Sequence, residues 1–320
     1  MYYVTEQMVQ DFVNPDHMLD AIEGMFSSIS SGEARNFDVT RDPLGGGVFF
    51  GTKSGFNLET GDLGVKIGGL WPRNVSVGIP NHQSTVLLIE PQNGLPLALV
   101  RASYLTALRT AAASAISIKY LARRDAAILG IVGAGGQAFT QIQAALRVRS
   151  FSSVLVADQS EERARDLVAL ISATGVRAEV VPEPNQLAAR SDVIITVTPS
   201  FSPFLDAEFV RGGTHLACMG ADTKGKHEIQ ESLLASASVF ADDVDQAIHI
   251  GECQHGFQAG LIDRARIATI GDVITGRAPG RPDDGQITIF DGTGIGLQDI
   301  VAARLALDLA RSQGKAIHLA

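Results

Sequence analysis

The stretch Ile131-Val132-Gly133-Ala134-Gly135-Gly136-Gln137-Ala138 constrains the fold of this chain more than any other. It is a GxGxxA pattern that comes after a short, continuously apolar segment (AAILGIVG) and opens a helix-like one (GGQAFTQIQAALRV). The glycine at Gly133 permits a tight strand-to-helix turn, and Gly135 lets the backbone approach a pyrophosphate. Ala138 allows close helix–strand packing, and N–H groups at the start of the helix favour an anion. The plain alternative is a glycine-rich turn that holds nothing. The strand–turn–helix context argues for the dinucleotide reading.

From residue 126 the chain has the texture of a parallel α/β domain. SSVLVAD reads as a strand, EERARDLVALIS as a helix, and VRAEVV and SDVIITVT as further strands, with more at Thr214–Met219, Ser238–Ala241 and Gln286–Phe290. Strands that are apolar throughout and alternate with helices point to a sheet covered on both faces. Asp158 ends the second strand, where a carboxylate accepts hydrogen bonds from the adenosine ribose and repels a 2′-phosphate; this favours NAD(H) over NADP(H). Arg163 and Arg165 lie close enough to rescue a phosphate, and a helix N-cap is the ordinary alternative role for Asp158. Thr198, Pro199 and Ser200 come after the fourth strand, at the carboxyl edge where a nicotinamide belongs; an ordinary polar loop is the other reading.

The region before residue 126 differs. Asn14-Pro15 with Met18, Ile22, Phe26 and Ile29 reads as a capped amphipathic helix that closes near Gly32. Strand-like segments lie at Gly47–Phe50, Leu63–Leu70, Ser84–Pro91 and Leu95–Val100, the last two flanking an Asn93-Gly94 turn. Residues 102–121 are rich in alanine and leucine and form a helix. A final helix at about 295–312 comes after the last nucleotide-domain strand and is free to return to the first domain. The expected fold is a Rossmann-type doubly wound parallel sheet (125–296) inserted in a discontinuous α+β domain (1–124 plus 297–320).

In that first domain Arg41, Lys53, Lys66 and Arg109 stand in neutral surroundings, Lys66 interrupting an apolar strand. Singly, each is an ordinary solvated charge. Together they make a pocket for a carboxylate, with Arg as a bidentate fork and Lys as a point charge. Asp222 comes after the strand THLACMG and projects from the carboxyl edge of the sheet. A carboxyl group there can exchange a proton with a substrate nitrogen while a nicotinamide delivers hydride to the adjacent carbon; a turn-forming Asp is the bland reading.

Composition trims the alternatives. A net charge of −9 works against nucleic acid as a partner. No apolar run reaches the length of a membrane span and no signal peptide is visible, so a membrane partner is not expected. Cys218 and Cys253 form no CxxC pair, which suits a reducing cytoplasm. His82, His215 and His255 match no zinc-ligand spacing, so no metal is expected, and neither a GxSxG elbow nor a P-loop is present.

Taken in order, Leu63-Gly64-Val65-Lys66, Asn81–Thr85, Leu105–Ala115, Gly133–Ala138 and Gly220-Ala221-Asp222 resemble the ornithine cyclodeaminase/μ-crystallin family over nearly the whole chain. That family includes cyclodeaminases, alanine dehydrogenases, ketimine reductases and a hormone-binding crystallin. The resemblance implies a homodimer, with Arg41, Lys66 and Arg109 on the substrate α-carboxylate and Asp222 acting with Lys66 in catalysis. Thr110, Gly136, Gln137 and Gly220 join Gly133, Gly135, Ala138, Asp158, Thr198 and Ser200 around the cofactor. Gly51–Phe56, Asp222–Lys226, Ile250–His255 and Phe290–Gly294 are similar, more narrowly, to members that reduce iminosuccinate to aspartate, and there Lys53 serves a second carboxylate. The expected reaction is therefore NADH-dependent reduction of an α-imino acid. Ornithine cyclodeamination, cyclic ketimine reduction (pyrroline- or piperideine-2-carboxylate), alanine dehydrogenation and non-catalytic binding are the alternatives.

Overall fold

A computed structural model describes residues 1–319. The chain divides into two compact units, Met1–Arg109 with Ile295–Ala320, and Thr110–Gly294. The boundary falls inside one helix, Ser103–Leu121.

The first unit is built on a mixed sheet. Its strands are β1 (Tyr2–Val4), β2 (Ala34–Asn36), β3 (Thr40–Gly45), β4 (Val48–Asn57), β5 (Asp62–Leu70), β6 (His82–Ile89), β7 (Pro96–Arg101) and a C-terminal strand, Ile317–His318. Their order is Ile317–His318, β1, β7, β6, β5, β4, β2, with β3 also paired to β4. All pairs are antiparallel except β1 with β7. Strand β4 runs well past the expected Gly47–Phe50, which places Lys53 inside a strand rather than in a loop. Its glycines and serine masked the pattern, because strand propensity is read mainly from branched and aromatic side chains. Strand β3 was also hidden, by Asp42, Pro43 and the glycines after them.

Alternation along β5 to β7 sorts the side chains onto two faces. Gly64, Lys66, Ser84, Val86, Leu88, Ala98 and Val100 are buried on one face, against which the final helix (Gly296–Ser312) packs. The helix α1 (Glu6–Phe12) and the helix α2 (Pro15–Ser31) pack with that final helix. Asn14 caps α2 through the His17 N–H, and Gly32 closes it at φ +84°. The opposite face carries Leu63, Val65, Leu87, Ile89, Leu97 and Leu99, all half-buried, with Ile67 exposed. Gln83, Thr85 and Arg101 continue this otherwise apolar face at one end.

The second unit holds an all-parallel sheet of eight strands. In chain order the unit's strands, eight in this sheet and two outside it, are β8 (Ile128–Val132), β9 (Ser153–Ala157), β10 (Ala178–Val180), β11 (Val193–Thr196), β12 (Phe201–Leu205), β13 (His215–Cys218), β14 (His227–Ile229), β15 (Ser238–Ala241), β16 (Ile267–Thr269) and β17 (Thr288–Asp291). The sheet order is β10-β9-β8-β11-β13-β17-β15-β16, while β12 and β14 pair separately. From β8 the chain winds outward through β9 and β10, then returns to β11 and winds the other way. The carboxyl edge between β8 and β11 is thus the switch point where doubly wound sheets bind ligands. The strand interiors (Leu129, Ile131, Val154, Val156, Ile194, Leu216 and Ile289) are buried. Among the described residues no helix is long and apolar enough to cross a membrane.

Candidate active site

In the first unit one buried carboxylate organises the cations. Asp299, in the first turn of the final helix, places Oδ2 2.6 Å from the Lys66 Nζ and Oδ1 2.9 Å from the Arg109 Nε. The neighbouring Gln298 accepts from Arg109 Nη1 at 2.8 Å. Lys53 stands directly opposite Lys66 in the β4–β5 ladder. Lys53, Lys66 and Arg109 are 8%, 7% and 5% exposed, and Asp299 is 1% exposed. Like charges opposite one another on a strand pair repel, and buried charges demand compensation. Three sequestered cations grouped around this carboxylate are an arrangement able to hold an anion.

Electrostatics agree with that reading. Burial pushes Lys66 down to about 8; Asp299 opposes the shift, and Arg109 and Arg41 add to it. For Asp299 burial acts upward, but Arg109, Lys66 and Lys53 outweigh it and hold the carboxyl below its usual range. Arg41 joins through its field on Lys66, from a half-exposed position on β3 with its guanidinium 5.9 Å from the Phe49 ring centroid. Its strand can sit there because it lies against Gly51, where a Cβ would fall 2.1 Å from the Thr40 carbonyl oxygen.

In the second unit the glycine-rich turn and the loop after β11 are in contact at the switch point. Gly133 has φ +106°, and a Cβ on it would lie 2.7 Å from the Val197 carbonyl oxygen and 3.0 Å from the Thr198 Cγ2. Gly135 and Gly136 have open space where a side chain would be. The next helix, Ala138–Val148, has no side-chain cap at Gln137, leaving its end to be capped by an external anion. These are the features a pyrophosphate needs.

Asp158 accepts from the Ala134 N–H at 2.7 Å, from the Ser160 N–H at 2.7 Å and from Arg163 Nη2 at 2.8 Å. Burial acts to raise it, but these partners hold it below the usual carboxylate range. It is not the N-cap of the Glu161–Ser172 helix; Ser160 is, accepting from the Arg163 N–H. Arg163 is committed to Asp158 and Arg165 to Glu161, so both arginines have acidic partners.

Thr198, Gly220 and Asp222 are brought together by residues that sequence reasoning missed. Glu228, fully buried, accepts from the Thr196 hydroxyl (2.7 Å), the Thr198 N–H (2.8 Å) and hydroxyl (2.7 Å), and the Gly220 N–H (3.0 Å). Lys226 donates to Asp222 Oδ1 at 2.7 Å and to the Gly220 carbonyl at 3.1 Å. Ser200 spends its hydroxyl on the Ser202 carbonyl, so it shapes the loop. Thr110 is buried on the Ser103–Leu121 helix, directly after Arg109.

The histidines divide. His215 is a core residue between the hydroxyls of Ser117 (3.1 Å) and Thr288 (3.0 Å), pushed down to about 3 by burial. His255 stacks on His227 with ring centroids 4.0 Å apart. Asp299 and Gln298 left one trace in the sequence: adjacent polar residues set in the otherwise apolar run Gly296–Ala303, a register that buries both.

A parallel dinucleotide-type sheet and a buried cation group define an oxidoreductase-like architecture for small carboxylates, and known proteins give it a family. The ornithine cyclodeaminase/mu-crystallin family model matches residues 3–314, and the chain belongs to that family. It is 44% identical over 317 residues to the iminosuccinate reductase of Paracoccus denitrificans (strain Pd 1222), covering 99% of this chain and 98% of that protein. The crystal structure of the Paracoccus denitrificans iminosuccinate reductase in complex with NAD+ superposes with a TM-score of 0.94 at 43% identity, covering 100% of this chain and 99% of that one. An archaeal alanine dehydrogenase dimer with bound NAD matches with a TM-score of 0.95 at 33% identity, over 100% of this chain and 99% of that one.

Proposed function

We propose that this protein reduces an α-imino acid to an amino acid with NADH, and that its substrate is iminosuccinate, giving aspartate. The observation that carries the dicarboxylate is Lys53, buried and directly opposite Lys66 in the ladder. Two lysines and an arginine sequestered together suit two substrate carboxylates better than one: the first meets Lys66 and Arg109, and the second meets Lys53. The likeness to the Paracoccus enzyme supports the same substrate.

The residues of the second unit fit NAD(H). The open backbone at Gly135 and Gly136 and the uncapped helix suit the pyrophosphate, and Asp158 suits a ribose without a 2′-phosphate. When bound, NADH supplies the hydride that the imine carbon accepts. Lys66 and Arg109 hold the α-carboxylate and fix the orientation of that carbon, which is largely catalysis by positioning. Arg41 reinforces the positive field. Asp222 serves the nitrogen. Its ion pair with Lys226 suits a carboxylate that stabilises a protonated imine rather than one that delivers the proton. Thr198 and Gly220, held by Glu228, frame the nicotinamide end.

The half-buried apolar face of the first unit's sheet supports a homodimer, and the archaeal alanine dehydrogenase is a dimer. The reaction is tested by following NADH oxidation with oxaloacetate, pyruvate or glyoxylate plus ammonium, and with the two cyclic imines. Preference for oxaloacetate plus ammonium is expected. Preference for a cyclic imine would replace iminosuccinate with a ketimine, and no oxidation with any of them would remove the enzyme reading.

A further inference from the structure

We propose that Asp299 is a positioning residue, which holds Lys66 charged and Arg109 oriented so that the pair receives a substrate carboxylate. The proposal rests on the reading of Lys66 and Arg109 as carboxylate-binding residues, but not on which imino acid is reduced.

Asp299 divides its two oxygens between two cations from different elements, Lys66 on β5 and Arg109 on the Ser103–Leu121 helix. Gln298 holds a second guanidinium nitrogen from the same helical turn, so Arg109 is restrained at two points. The turn itself is anchored, because the Asn36 side chain accepts the Leu297 N–H at 3.1 Å. Gly296 lies so close to β4 that a Cβ would fall 2.3 Å from the Ser54 carbonyl oxygen. The carboxylate is therefore fixed by backbone contacts and sets the positions of both cations.

Its charge matters as much as its position. The groups around Lys66 are Asp299 from the final helix, Arg109 from its helix, Arg41 from β3 and Lys53 from β4. On β6 the residue opposite is Val86, which carries no charge. In this set Asp299 is the anion and the others are cations. Burial already brings Lys66 to about 8, and Asp299 works against that fall. Without the carboxylate the ammonium faces like charges in a desolvated site, so its pKa drops further. Lys66 then loses its proton near neutral pH and regains it as the pH falls.

The test compares wild type with Asp299→Asn from pH 6 to pH 8.5. It measures KM for whichever imino acid wild type reduces, and succinate binding to the NAD-loaded enzyme by calorimetry. Taking the variant-to-wild-type ratio at each pH cancels the pH dependence of imine formation. The ratio of dissociation constants is expected to grow at least about tenfold between pH 6 and pH 8, because above the variant's Lys66 pKa each unit of pH lowers the charged fraction about tenfold. Asp299→Glu, larger but charged, is expected to flatten the ratio, whereas a residue needed only for packing would tolerate the near-isosteric Asn better than Glu. A ratio independent of pH, in KM or in succinate binding, overturns the proposal. If Asp299→Asn fails to fold, wild type and Lys66→Arg decide: succinate affinity falls above about pH 8 in wild type, and an arginine that does not titrate there removes the fall. A fall that persists in Lys66→Arg overturns it. Because succinate binding needs no turnover, failure of the imine panel with intact pH-dependent binding would count against the reaction and not against Asp299.

Discussion

Lys53→Met asks whether the second cation of the β4–β5 pair meets the substrate. Lys53 is 8% exposed and directly opposite Lys66, whose own charge is matched by Asp299 at 2.6 Å. If a distal carboxylate pairs with Lys53, the substitution removes one charge-assisted hydrogen bond, worth about 1.5–3 kcal/mol. That corresponds to a loss of roughly tenfold to a hundredfold in kcat/KM with oxaloacetate plus ammonium. Pyruvate plus ammonium, whose imine has only the α-carboxylate, should change little, and Lys66→Met should damage both. Stability offers an internal control. The Tm without ligand, measured alongside, separates loss of contact with the substrate from loss of folding. Equal losses on both substrates with an unchanged Tm would refute the distal assignment, since Lys53 would then serve the α-carboxylate. No loss on either would mean that Lys53 does not meet the substrate.

Three further outcomes are expected. Asp158→Ser removes the carboxylate that discriminates against a 2′-phosphate and should narrow the ratio of NADH to NADPH efficiency; a wild type that prefers NADPH would contradict that role. Asp222→Asn should keep NADH affinity yet lose at least about a hundredfold in turnover, and near-normal turnover would remove Asp222 from the mechanism. Gly133→Ala forces a Cβ to 2.7 Å from the Val197 carbonyl at φ +106°. It should cost on the order of 1–3 kcal/mol and weaken NADH binding, measured by thermal denaturation with and without NADH.

The nucleotide half was legible in the sequence because its signals are local. A parallel strand buried on both faces is apolar throughout, and the glycine pattern of the turn after β8 is complete within eight residues. The cations were legible as exceptions, Lys66 most clearly, between Val65 and Ile67. The group that joins them was not. Asp299 meets Lys66 and Arg109 only through the tertiary return of the final helix, and no spacing rule connects positions so distant. Glu228 escaped for the same reason: it reads as one polar residue in His227–Ile229, and its four hydrogen bonds go to two other strand ends. Strands β3 and β4 were obscured because close approach of backbones, as at Gly51 against Thr40, requires the glycines that weaken a strand pattern.

The split of the first unit across the chain sets an order of assembly during synthesis. Residues 110–294 form a contiguous stretch, and translation delivers every strand of the parallel sheet before it reaches the final helix. The first unit is made earlier yet must wait, because the carboxylate that Lys66 and Arg109 share is not available until Asp299 emerges. A chain that stops before Ile295 therefore has every residue of the second unit but an incomplete first unit, whose β5 to β7 face lacks the helix that packs on it. The carboxylate that organises the cations thus joins them only after the whole of the second unit has been made, so closure of the first unit follows synthesis of the second.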